Sequence, residues 1–232
     1  MILADIKPTA DPRELLAIDA ERPLVDLASH PVWQSALSGE MDKERLKKLI
    51  LLIYPVVAGP GRYLFAAKVS QISAEDGAEL FRQLYEAEQN PQANSDSGWR
   101  AVGAALGIED DRFTAVADTP SAEAADFLAT VRRHSLRSAP SSAAAVAWAI
   151  ERQLPGLWQD LADSLAKNYQ VSEEALIHLR YQASRRDDVD RWVEQLLRRY
   201  YDGAESYAVF EARRALWEAV WAWTALTESL DT

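Results

Sequence analysis

No stretch of this chain alternates polar and apolar residues between turn residues, as a half-buried strand would. Apolar positions instead fall at helical spacing, punctuated by Gly and Pro. Residues 1–12 read as a tail with Pro8 and Pro12, and one helical domain follows over 13–232. Short helical pieces occupy 13–38, broken at Pro23 and Pro31, and Gly39 is a stop signal. Asp42 caps a long helix to about Ile72, kinked around Pro55 and Gly59-Pro60-Gly61. Ser73 starts the next helix, which ends near Asn90. Asn90–Gly98 reads as a loop, and a short helix over Trp99–Leu106 stops at Gly107. Thr119-Pro120 starts a helix to about Arg137, with Pro at its first position, and Ser138–Ser142 is a linker. Three helices then cover Ala143–Lys167 (bent at Pro155), Ser172–Tyr201 and Ala204–Ser229, the last two separated by Gly203. The fold class is all-α, in one domain of about seven main helices, since the linkers are short.

Composition narrows the function. Apolar residues are 48 % of 232, enough to fill a sizeable core. No run of 18 or more uncharged apolar residues is present, so no membrane span is expected. The start, MILADIKPTADPR, lacks the pattern of a signal peptide, and a cytoplasmic location is expected. The net charge of −11 argues against nucleic acid, which needs clustered Lys and Arg. The absence of cysteine removes disulfides, thiolate metal sites and a cysteine nucleophile. Three histidines, His30, His134 and His178, are few for an imidazole-rich metal site.

Candidate chemistry gathers in HLRYQASRRDDVDRW (178–192). On one helix, His178, Tyr181, Arg185, Asp188 and Trp192 share a face. Such a face is a poor solvent surface and, buried, would need partners. The plain alternative is an ion pair between Arg185 and Asp188 across one turn. Glu151 stands alone among apolar residues in AVAWAIERQLP. It lies either at the surface or inward, where burial would raise its pKa and make it a base near neutral pH. Tyr54 and Tyr63 flank the kink and are read as pocket wall or core. The tryptophans Trp148, Trp158, Trp192, Trp217, Trp221 and Trp223 are read as core, or as an aromatic wall for a flat substrate. His30 is read as a helix cap or a packing residue, and His134 as lying in water at a helix end.

Several segments carry a resemblance. HPVWQSALSGEMDKERLKKLILLIY, the helix ending AALGI, WAIERQLPGLWQDLADSLAKNY, RYQASRRDDVDRW and the Trp-rich ARRALWEAVWAWTAL follow in an order that resembles the haem-oxygenase-like superfamily over roughly residues 24–229. That superfamily includes thiaminases, pyrroloquinoline-quinone synthase and diiron oxidases. The resemblance implies a haem-oxygenase-like helical bundle with an internal pocket. Thiaminase chemistry is set aside by the missing cysteine.

A diiron site would fall on Glu88 (or Glu86), a position near Ser95, Glu151, Tyr181, Arg185 and Asp188. Every family histidine is missing, and Arg185 puts a permanent positive charge at a ligand position. The resemblance therefore implies an oxidoreductase that uses dioxygen without a conventional diiron centre. Its substrate would be a small amine- or carboxylate-bearing metabolite. Arg185, His178 and Tyr54 would bind it, and Glu151, Tyr181 and Asp188 would be catalytic. No resident cofactor is expected. The alternatives are a metal-dependent oxidase, with iron on Glu88, Glu151 and Asp188, and a non-catalytic member that binds a ligand or a partner enzyme. A homodimer is expected from the folds it resembles.

Overall fold

A computed structural model of the chain describes residues 26–58, 92–136, 140–191 and 206–231, with Ala78, Arg82, Tyr85, Gln89 and Asn90. The expected tail, the Gly59-Pro60-Gly61 kink, most of the Ser73–Asn90 helix, Tyr63, Glu86, Glu88, Trp192 and Gly203 lie outside the described residues. Among the described residues every regular element is helical.

A 3-10 turn (Leu27–Ser29) leads into α1 (Pro31–Ser38). His30 caps α1: its Nδ1 accepts from the Val32 N–H at 3.3 Å. Gly39 ends it at φ 82°, a left-handed conformation that suits glycine. The Asp42 carboxylate accepts from the Arg45 N–H at 2.9 Å and opens α2 (Lys43–Val57), as the sequence predicts. Then come α3 (Ser95–Leu106) and α4 (Asp110–Asp118). α3 begins four residues before Trp99, because the Asn94 side chain accepts from the Ser97 N–H at 2.9 Å and turns the expected loop into a cap. α4 is not announced by the apolar pattern, since it buries Phe113 alone.

The chain continues through α5 (Ala122–Leu136), α6 (Pro140–Ala149), α7 (Leu154–Tyr169), α8 (Glu173–Ser184) and α9 (Ser206–Glu228). Ser121, not Thr119, caps α5, accepting from the Ala124 N–H at 3.2 Å. Pro120 therefore precedes the helix. α6 starts at Pro140, inside the expected linker, because proline needs no N–H partner at a first position.

α9 packs on α5 and α6, α7 on α1 and α8, and α8 on α3; α2 contacts α3, α4 and α5. The faces that meet are apolar, and their centre is aromatic. Trp33 stacks on Trp223 at 6.0 Å and 10°, and meets Trp158 edge-on at 6.3 Å. Trp158 in turn meets Trp99 at 5.1 Å and 78°. Trp33, Trp99 and Trp223 are almost wholly buried. Such rings carry a large share of the hydrophobic stabilisation.

α3 and α8 touch backbone to side chain at Gly98. A Cβ there would lie 2.3 Å from Cβ of His178, so only glycine permits this approach.

His134, expected in water, is fully buried between α5 and α9. Its Nε2 bonds Glu218 at 2.7 Å, and Glu218 also pairs with Arg133 at 2.6 Å and Arg214 at 3.1 Å. Burial, helped by the two arginine charges, pulls the imidazole below its ordinary value of 6.5 against the hydrogen bond it donates to Glu218. The folded protein thus resists protonation at His134 and the unfolded chain does not. This contribution to stability is present above 6.5 and is lost as pH falls from there through the lower folded value. Urea midpoints should therefore fall between pH 7.5 and pH 5.5. The fall should be shallower in His134→Gln, which keeps a donor near Nε2 but cannot titrate. Equal slopes in the two proteins would refute the assignment.

Candidate functional site

The chemistry that the sequence isolates at Glu151 is positioned by Pro155. A proline within a helix lacks the N–H for the carbonyl four residues back, here that of Glu151, and crowds it. Where the sequence predicts a bend, the chain breaks between α6 and α7. The Arg152 N–H reaches back five residues to the Ala147 carbonyl at 3.3 Å, and the Gln153 N–H bonds the Ile150 carbonyl at 3.1 Å. A five-residue reach at a helix C-terminus is a π-turn, which satisfies one of the end carbonyls of α6. The bend is held from outside, since Leu27 N–H donates to Gln153 Oε1 at 2.9 Å. Glu151 sits on this turn, half-buried.

Glu151 opens into a partly open cavity of about 60 Å³. Its wall draws on α2, α3 and α5 to α9. Trp99, Phe127, Trp158 and Trp223 supply the aromatic part, Glu151 and His178 the titratable part. Phe127 meets Trp223 at 5.6 Å and 67°, so two pairs of steeply inclined rings border one space.

Among the described residues Glu151 has no hydrogen-bond or ion-pair partner. Arg152 beside it is engaged elsewhere, with Asp190 at 3.2 Å and over the Trp148 ring at 4.2 Å. His178 is buried, and its Nδ1 lies 3.0 Å from the Gln92 carbonyl. A carbonyl only accepts, so Nδ1 carries the proton in this bond.

The other predicted residues are not brought to this cavity. The expected Ser172–Tyr201 helix is interrupted: α8 closes at Ser184, with Arg185 in a turn at φ −89° and ψ 10°, and helix resumes over 186–191. The shared face from His178 to Asp188 is broken there. Tyr181 and Arg185 are half-buried and Asp188 is exposed, and none of the three lines the cavity. The Arg185–Asp188 ion pair does not form; Asp188 pairs with Arg191 at 3.2 Å.

Tyr54 is buried but turned to another task. Its hydroxyl donates to Asp96, and its ring meets Phe113 at 4.8 Å. Arg100 lies over the Tyr54 ring at 5.6 Å and pairs with Asp96 at 2.9 Å and Asp110 at 2.7 Å. Burial, with the bond to Asp96, pushes the phenol up to about 12, which keeps it out of proton transfer near neutral pH. It is a strut between α2 and α3.

Of the wall, Trp158 and Trp223 are in the aromatic set that the sequence offers. Trp99 and Phe127 are not. Trp221, by contrast, is 61 % exposed.

Among the described residues no three His, Asp or Glu side chains gather as a metal set. Of the three carboxylates proposed for iron, Glu151 is at the cavity, Asp188 is at the surface and Glu88 lies outside the described residues. Glu151 and His178 together fall short of the ligands such an ion takes. Among the described residues no helix is long and apolar enough to cross a membrane. No protein-family model matches the chain, and no curated protein matches it.

Proposed function

We propose that the chain is an oxidoreductase of the haem-oxygenase-like type that oxidises a small amine- or carboxylate-bearing metabolite with dioxygen and without a conventional diiron centre. The observation that carries the reading is Glu151: an unpartnered carboxylate on a π-turn, opening into an aromatic cavity. A pocket that is mostly apolar, with a few convergent polar groups, is the common form of a small-molecule site. Glu151 is placed to take a proton from a bound molecule. The buried His178, held by Gln92, would orient the substrate. In a two-electron oxidation the substrate gives up two electrons and two protons, and dioxygen takes them as hydrogen peroxide. Arg185, free of ion pairs among the described residues, would attract an anionic substrate at the surface rather than hold it in the cavity.

A second reading, binding without chemistry, draws on the size of the cavity. About 60 Å³ is below the ~300–1,000 Å³ usual for small-molecule sites. A metabolite of more than a few heavy atoms must displace the walls or extend out of the open side.

The test is oxygen uptake against a panel of small amines and carboxylates, with iron content measured on the same samples. Glu151→Gln should lower turnover about 100-fold or more, within the ~10²–10⁴ range of acid–base groups. Unchanged turnover would remove Glu151 from the chemistry. Uptake that rises with retained iron and vanishes on chelation would favour the metal-dependent oxidase.

A further inference from the structure

We infer that the cavity takes a cationic amine, a small alkylammonium, with Glu151 as its counter-ion and the Trp99, Trp158, Trp223 and Phe127 rings as its wall. This rests on the cavity being the site proposed above, and it selects the amine over the carboxylate as substrate class.

The electrostatics decide between the two. Glu151 is the only carboxylate among the described lining residues, and neither lysine nor arginine stands with it. Arg152, the nearest cation in sequence, is committed to Asp190 and the Trp148 ring. An anion entering the cavity would meet an uncompensated like charge. A cation would meet the partner that Glu151 lacks.

The walls add to this. Aromatic faces attract ammonium groups, indole most strongly, and more so when water is excluded. Three of the four rings here are indoles. The pairs Trp99–Trp158 and Phe127–Trp223 are inclined at 78° and 67°, so each pair forms a corner rather than a flat slot. A corner suits a compact head group better than a planar ring system. The volume, about 60 Å³, suits a compact head group as well. The alkyl tail would leave through the open side.

The experiment is calorimetric titration of the full chain with n-butylamine hydrochloride, 1-butanol and sodium butyrate, which share a tail and differ in head-group charge. The unsubstituted protein should bind butylammonium at least about tenfold more tightly than the other two. Glu151→Gln should abolish that preference while near-ultraviolet circular dichroism is unchanged. Equal binding of butanol or butyrate would overturn the ammonium assignment. So would butylammonium binding that Glu151→Gln leaves intact. In either case, binding that is lost when Ala147→Trp fills the cavity would keep the cavity as the site. No binding of any of the three probes would overturn both the assignment and the site.

Discussion

Trp33→Ala should lower the stability of this protein by about 3–5 kcal/mol, the usual cost of deleting a fully buried large aromatic. Trp33 is 0 % exposed and is the junction of the aromatic core: it stacks on Trp223 of α9 and meets Trp158 of α7. Removing it takes a partner from two rings that also border the cavity. The surrounding helices are pinned by other contacts, including Ser164 Oγ to the Ala36 carbonyl at 2.7 Å, so the space should collapse only in part. Against a typical total of ~5–15 kcal/mol this is a large fraction. At ~2–4 °C per kcal/mol for a chain of this size, melting should fall by roughly 6–20 °C. Trp33→Phe should cost less, since the Trp33 indole N–H has no hydrogen-bond partner to lose. Urea unfolding of both variants checks this, and a loss below about 1 kcal/mol for Trp33→Ala would show that Trp33 is not central to the core.

Gly98→Ala should lower stability by about 1–3 kcal/mol, although it adds a single methyl group. The new Cβ would sit 2.3 Å from both Cβ and Cγ of His178. Cβ is fixed to the backbone, so the clash cannot be relieved by a rotamer, and α3 and α8 must part. Parting them disturbs the His178 ring and its bond to Gln92, and with them one wall of the cavity. The double variant Gly98→Ala/His178→Ala removes Cγ and the ring but leaves Cβ. It should recover only part of the loss, a coupling that a double-mutant cycle reads directly. Strict additivity of the two substitutions would mean that the close approach is not what Gly98 permits.

What the sequence reveals here follows how local the physics is. Asp42, Gly39 and Pro155 set their cap, stop and break through atoms a few residues away, and the structure places all three where the pattern predicts. Glu151 is legible as a lone carboxylate because its neighbours are apolar. α4 is hidden because one buried residue, Phe113, makes no period. The burial of His134 is set by Glu218, 84 residues further along the chain, and no local pattern carries that. Trp99 and Phe127 become cavity wall only when α3 and α5 meet the other helices. The face from His178 to Asp188 fails as a unit for a local reason: Arg185 closes α8, and a helical wheel drawn across a break joins side chains that the chain separates.

The measurement closest to the central claim, that the cavity beside Glu151 is where this protein meets its small molecule, is the response of the indole N–H signals in a ¹⁵N-labelled sample. Butylammonium and butanol are titrated in turn, and the signals are assigned by Trp→Phe substitution. The account predicts shifts at Trp99, Trp158 and Trp223, none at Trp221, and loss of those shifts in Ala147→Trp. Shifts gathered instead at Trp217 and Trp221, with the cavity tryptophans unmoved, would contradict it and move the binding surface to the outer face of α9.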